Sequence, residues 1–128
     1  MGVKGKRVIV TGAAQGIGRA IAALLAEQGA ALLLCDVNRE KTEETAREIG
    51  AGGAICLACM ADVTRPADAD ALVQDAVQRL GAVDVLVNNA GITRDNVLLR
   101  MKEDQWDQVM AVNLKGTFNC TRAAIRAM

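Results

Sequence analysis

Between Arg7 and Gly18 the chain reads R-V-I-V-T-G-A-A-Q-G-I-G, a β-branched run followed at once by a glycine-punctuated turn. Val8, Ile9 and Val10 predict a short buried strand, and the alanine-rich, amphipathic stretch from Arg19 to Gln28 predicts a helix. Strand, glycine turn and helix in that order form a place to hold a phosphate. A helix N-terminus leaves backbone N–H groups unpaired and carries partial positive charge. Glycine lets the backbone approach an anion closely because no Cβ intervenes. Gly12, Gly16 and Gly18, with Gln15 and Ile17 between them, are therefore the candidate cradle. The same glycines would also serve a strand–helix turn that needs them for geometry alone.

The rest of the chain repeats this alternation. Ala30 to Cys35 reads as a second strand ending at Asp36, and Arg39 to Ile49 as a helix closed by Gly50, Gly52 and Gly53. Ala54 to Met60 is a third strand. Pro66 suits the first turn of the next helix, with Thr64 as its expected cap and Leu72, Val73, Ala76, Val77 and Leu80 as its packing stripe. Val83 to Val87 is a fourth strand running into Asn88-Asn89-Ala90-Gly91. A last long helix is expected from Glu103 to the end, loosened at Gly116, with Trp106, Val109, Met110, Phe118 and Ile125 among its apolar positions. The order β-α-β-α-β-α-β-α with nearly all-apolar strands calls for a parallel α/β sheet covered on both faces. Right-handed crossovers give the strand order 3-2-1-4, the first half of a Rossmann-type doubly wound fold plus one strand. Residues 1–128 are thus expected to form a single, truncated dinucleotide-binding domain. The glycine turn and the Asn88–Gly91 loop should face each other at the switch point between strands 1 and 4.

Composition narrows the chemistry. The chain balances 15 basic against 15 acidic residues, so nothing in its charge favours nucleic acid as a partner. No apolar run reaches the length of a membrane span, and M-G-V-K-G-K at the start has no hydrophobic signal region, which leads to the expectation of a cytoplasmic protein. Cys56 and Cys59 have C-x-x-C spacing but lie inside an expected strand. With no histidine in the chain and no further ligand pair at suitable spacing, no metal site is expected, and Cys35, Cys56, Cys59 and Cys120 read as reduced, mostly buried thiols. The absence of histidine also removes Ser-His and Cys-His nucleophile schemes.

Two carboxylates stand where the strands end. Asp36 lies roughly 20 residues past the glycine turn, where a carboxylate can accept hydrogen bonds from an adenosine ribose. It would repel a 2′-phosphate, which favours NAD as cofactor with NADP the second choice; Arg39 is the counterweight. Asp36 equally suits a helix-capping acid. Asp62, after strand 3, can accept from an adenine amino group or simply stabilise a turn. Asn89, Ala90 and Gly91 form a small-residue loop open to a ribose, although Gly91 could be there only for a positive φ.

Taken together, T-G-A-A-Q-G-I-G from Thr11 to Gly18, D-V at Asp62, N-N-A-G from Asn88 to Gly91 and V-N at Val112-Asn113 resemble the short-chain dehydrogenases/reductases. The segment V-D-V-L-V-N-N-A-G-I-T-R-D-N-V-L-L-R-M, from Val83 to Met101, resembles the bacterial 3-oxoacyl-acyl-carrier-protein reductases in particular. The resemblance implies that Gly12, Gly16, Ile17 and Gly18 hold a pyrophosphate, that Asp36 meets the adenosine ribose, and that Asp62 and Val63 meet adenine. It implies further that Asn89, Ala90 and Gly91 line the nicotinamide-side ribose with Val112 nearby. Asn113 matches the family's catalytic asparagine, which holds a water in a proton relay; read alone, it could be a satisfied core residue.

The family's later serine and Tyr-x-x-x-Lys have no counterpart here, and the chain contains no tyrosine. The resemblance therefore implies an NAD(P)-binding N-terminal half of an oxidoreductase, with hydride transfer between nicotinamide and a 3-oxoacyl or 3-hydroxyacyl thioester confined to the full-length fold. An acyl-carrier-protein thioester would be a partner only there. This chain alone is expected to be inactive, and to self-associate into a homo-oligomer through the strand 4 edge or the last helix. The competing reading is a non-catalytic, nucleotide-binding or self-assembling half-fold.

Overall fold

The computed structural model describes residues 2–128. Four parallel strands, β1 (Arg7–Thr11), β2 (Ala31–Asp36), β3 (Cys56–Met60) and β4 (Val85–Val87), lie in the order β3-β2-β1-β4. Helices α1 (Gly16–Glu27) and α2 (Arg39–Gly50) cover one face; α3 (Pro66–Leu80) and α5 (Gly116–Ala127) cover the other. Strand residues alternate between these layers. Val8, Val10, Leu32 and Leu34 pack with Ala22 and Ala46, while Ile9, Leu33 and Cys35 pack with Leu72, Ala76, Cys120 and Ala124. Both faces of the central strands are apolar because both are covered, which explains why β1 and β2 read as continuous hydrophobic runs. Among the described residues, no helix is long and apolar enough to cross a membrane.

The same alternation separates the C-x-x-C pair. Cys56 joins the α1/α2 layer and Cys59 the α3/α5 layer, so the two thiols cannot converge on one ion.

Several local expectations need correction. The cap of α3 is Arg65, not Thr64; the Thr64 hydroxyl instead donates to Asp62 Oδ1 at 2.6 Å, while the Thr64 N–H donates to the same oxygen. An Asx-type turn thus outcompetes the cap. The packing stripe of α3 runs through Ala69, Leu72, Val73 and Ala76, and Val77 is left exposed beyond it. The strand β4 itself covers only Val85–Val87; Asp84 just before it is joined to Arg7, its N–H donating to the Arg7 carbonyl at 2.9 Å and its Oδ2 accepting from the Arg7 N–H at 2.8 Å.

The expected last helix is three pieces. After α4 (Glu103–Val109), residues Met110–Lys115 form a π-helical turn, and α5 begins at Gly116. A π turn inserts an extra residue and so rotates the succeeding helix about its axis relative to the preceding one. Tertiary contact explains its position. A Cβ on Gly116 would stand 2.6 Å from Val63 Cγ2, so the helix touches the loop after β3 there. Trp106, Phe118 and Ile125 end up largely exposed.

Thr11 joins the two halves of the sheet at their carboxyl ends. Buried at 1% exposure, its hydroxyl accepts from the N–H groups of Asn89 (3.1 Å) and Ala90 (3.0 Å). Replacing Thr11 by Val keeps the shape but leaves the Ala90 N–H without its acceptor and the Asn89 N–H with the Val87 carbonyl alone, at 3.1 Å. The expected cost is about 1–3 kcal/mol, read as a lower urea midpoint with an unchanged slope; a change under about 0.5 kcal/mol would contradict the role given to the hydroxyl.

Burial also sets a pH limit. It pushes the Cys56 and Cys120 thiols from 9.0 up to about 11, and raises Cys35 beyond that. The unfolded chain loses these protons near 9.0 while the folded chain keeps them. The contribution is therefore intact below pH 9 and lost as pH climbs toward about 11. Thermal melts should show a falling midpoint across that window, and a Cys56→Ala/Cys120→Ala double variant should flatten the decline. An unchanged slope in that variant would assign the loss to other groups.

Candidate functional site

Two turns meet at the carboxyl ends of β1 and β4, and they meet without room for side chains. Gly12 has φ +63°, and a Cβ there would lie 2.8 Å from Ala90 Cα. A Cβ on Gly18 would stand 2.2 Å from the Gly12 oxygen and 2.5 Å from Asn89 Nδ2. Asn89 Nδ2 donates to that same Gly12 oxygen at 3.0 Å, locking loop to loop. Gly16 differs: its φ of +61° requires glycine, yet nothing lies within 4 Å of its missing side chain. The space in front of Gly16 is open.

That opening faces the start of α1. Gln15 caps the helix with extended backbone and no side-chain bond, and the first turn carries no acidic residue. The first helical N–H groups are orphan donors at the positive end of a twelve-residue helix. Ile17 is 74% exposed. Arg19 turns away and pairs with Glu48 of α2.

Beside this opening lies a cavity of about 170 Å³. Gly12, Cys35, Asp36, Val37, Ala61, Asp62, Val63, Ala90, Gly91, Ile92 and Val112 line it. The residues singled out from the sequence at 12, 36, 62, 63, 90, 91 and 112 thus share one hollow. Gln15, Gly16, Ile17 and Gly18 lie at the helix start instead. Asn89 and Asn113 lie outside the cavity lining and act through its rims.

Asp36 spans two elements. Its Oδ2 accepts from the Ala14 N–H and its Oδ1 from the Asn38 N–H, both at 3.3 Å. It does not cap α2; Asn38 does, accepting from the Lys41 N–H at 3.1 Å. Each carboxylate oxygen keeps a lone pair for a further donor. Asp62 commits Oδ1 to Thr64, and its other oxygen has no hydrogen-bond partner among the described residues. Gly91 is not at positive φ; its constraint is steric, since a Cβ would lie 3.2 Å from Asn113 Oδ1.

Asn113 is exposed, not a core residue, and sits in the π turn. Its amide is bonded both ways to one residue: Oδ1 accepts from the Ile92 N–H (2.7 Å) and Nδ2 donates to the Ile92 carbonyl (2.9 Å). Residues missed from the sequence do comparable work. Thr11 ties the two turns, Asn88 Nδ2 donates to Thr121 Oγ1 (3.1 Å), and buried Asn119 donates from Nδ2 to the Val63 carbonyl (2.9 Å). A polar residue ending an apolar strand was a visible signal for Thr11. For Asn119 the only signal was an amide on the apolar side of a helix.

The hollow is an apolar slot with two carboxylates at its mouth and a bank of free N–H donors beside it. Such a set suits a ligand that combines hydroxyl or amino donors with an anionic group.

Comparison with known proteins agrees with this architecture. The family model described as short chain dehydrogenase matches residues 6–128. An uncharacterized oxidoreductase of Mycobacterium bovis is 49% identical over 123 residues, covering 96% of this chain and 49% of the relative. The 3-oxoacyl-[acyl-carrier-protein] reductase FabG of Staphylococcus aureus is 47% identical over 124 residues, covering 96% and 50%. The chain therefore spans about half the length of these curated relatives. A short chain dehydrogenase of Mycobacterium smegmatis superposes with TM-score 0.95 at 36% identity, over 98% of this chain and 53% of that one. A short chain dehydrogenase/reductase of Burkholderia phymatum, solved in complex with NAD, gives 0.96 at 32% identity, over 100% and 46%. With the family model matched over residues 6–128, this chain belongs to the short chain dehydrogenase family.

Proposed function

We propose that the chain binds a nicotinamide dinucleotide, NAD in preference to NADP, across the carboxyl ends of its strands. The observation that carries this is the gathering of Gly12, Asp36, Asp62, Val63, Ala90, Gly91 and Val112 around one cavity beside the open start of α1. In this reading the pyrophosphate lies against the N–H groups of Gly16, Ile17 and Gly18, where a side chain at Gly16 would stand in its way. Asp36 accepts from the adenosine ribose hydroxyls with its remaining lone pairs, and a 2′-phosphate would meet a carboxylate there. The unbonded oxygen of Asp62 takes the adenine amino group while Val63 flanks the ring. Asn89, Ala90 and Gly91 line the second ribose, with Val112 beside it.

The dinucleotide supplies hydride chemistry when bound. The similarity to the S. aureus reductase supports a 3-oxoacyl/3-hydroxyacyl thioester as the substrate class of the whole protein, carried by an acyl-carrier protein. Asn113 is the relay asparagine of that reading. Its amide is held by Ile92, which leaves one Nδ2 hydrogen and one Oδ1 lone pair to hold a water. The chain contains no tyrosine to give or take the hydroxyl proton, so it binds without turning over. Residues 1–128 then act as one partial dinucleotide-binding domain in the cytoplasm.

A second reading, self-assembly, rests on a specific surface. The side of β4 away from β1 pairs with no strand among the described residues, and Leu114, Phe118 and Ile125 on the last helix are each at least 58% exposed. A contiguous apolar face of this kind is an association surface. We propose a homo-oligomer formed through it.

Calorimetric titration tests the first reading. NADH should bind more tightly than NADPH, and Gly16→Ala should weaken NADH at least tenfold while circular dichroism stays native. Tighter NADPH binding would overturn the role of Asp36, and an unaffected Gly16→Ala would overturn the cradle. With acetoacetyl thioester and NADH, no loss of the reduced-nicotinamide absorbance is expected; turnover would show that the tyrosine is dispensable. Sedimentation at micromolar concentration should give a mass above 13.4 kDa, and Phe118→Glu should return it to the monomer. A monomeric unsubstituted chain would remove the second reading.

A further inference from the structure

Helix α5 reaches the loop after β3 at one residue, Val63, and holds it in two ways. Gly116 packs against the Val63 side chain with no space for a Cβ, and Asn119 donates from Nδ2 to the Val63 carbonyl at 2.9 Å. Asn119 is 5% exposed and shares its buried face with Cys120, Ala123 and Ala124. A leucine, with the same number of side-chain heavy atoms though a larger volume, would be the apolar counterpart at that position and would bury no amide. The amide is there at a desolvation cost, and what offsets that cost is its bond to the carbonyl.

We infer that Asn119 is a positioning residue for the adenosine end of the dinucleotide site, acting through Val63. This role rests on the nucleotide reading and extends it to a residue outside the cavity. The Asn119 bond holds the peptide that follows Val63, and Val63 and its neighbour Asp62 both line the cavity. The other bonds of the loop run to β2, to α3 and within the loop itself: the Ala61 N–H donates to the Asp36 carbonyl at 3.2 Å and the Cys35 thiol to the Ala61 carbonyl at 3.8 Å. Thr64 and Arg65 donate to Asp62, and the Asp62 N–H reaches Asp68 at the start of α3. These bonds shape the turn but do not tie it to the helix that carries Asn113. The Asn119 bond does so, across 56 residues of sequence. Without it the loop keeps its turn and its anchor to β2 at Ala61, while Val63 loses its placement beside the adenine ring. The N–H bank at α1 lies on the opposite layer of the sheet and is unaffected.

The test uses Asn119→Leu, with Asn119→Ala as the milder companion should the leucine variant not fold. Amide hydrogen exchange reads the loop directly, and AMP and inorganic pyrophosphate probe the two ends of the site by calorimetry. The expected result is about tenfold faster exchange at Asp62, Thr64 and Arg65 with β1 and β2 unchanged, and AMP weakened about tenfold with pyrophosphate within twofold. Equal weakening of both probes, or unchanged loop exchange, would overturn the positioning role. An unsubstituted chain that binds neither AMP nor NADH would overturn the nucleotide reading, and this role with it. Accelerated loop exchange with AMP binding unchanged would overturn this role alone.

Discussion

The close approach of two turns, after β1 and after β4, is the constraint on which the rest of the structure depends. Gly12 meets Ala90 with no room for a Cβ, Asn89 bonds the Gly12 carbonyl, and the Thr11 hydroxyl accepts two N–H groups from the far turn. Backbone against backbone at this distance is possible only where side chains are absent and every polar group is paired. The contact sets where β4 ends and where α1 starts. It also sets Gly12 and Ala90 side by side in the wall of the crevice, at the switch point of a doubly wound sheet where a ligand finds room.

Asparagines connect that crevice to the remainder of the fold. Asn88 reaches Thr121, Asn113 grips Ile92 by both its groups, and Asn119 holds Val63. Each side chain carries both donor and acceptor, so a single residue can satisfy backbone groups of a loop that has no ladder of its own. The helical segment from Glu103 onward therefore acts as a splint for two loops, the one after β4 and the one after β3. Its π turn is the adjustment that makes this possible, because the extra residue lets Asn113 face one loop while Gly116 and Asn119 face another.

Much of the architecture is legible without coordinates. The β-branched runs, the glycine stops and the alternation of strands with amphipathic segments lead to the strand order, and the short glycine motif leads to the helix N-terminus. The departures have two causes. At Thr64 one local interaction, the Asx-type turn with Asp62, displaces another, while at Val77 and along the final helix the tertiary environment prevails over local propensity. Asp62 takes the Thr64 hydroxyl, Val77 falls outside the α3 stripe, and contact with Val63 fixes where the last helix changes phase. Asn119 stays invisible because its partner is a backbone carbonyl far along the chain, and a carbonyl leaves no mark in a sequence.

What the sequence by itself determined is the order of elements, the two apolar faces of the sheet and the positions where glycine is required, since these depend on local sterics and hydrophobic periodicity. Tertiary structure alone decided which side chains share the cavity, where the last helix breaks and which asparagines brace the loops. Those outcomes depend on distances between segments tens of residues apart, where burial and the pairing of backbone polar groups override local preference.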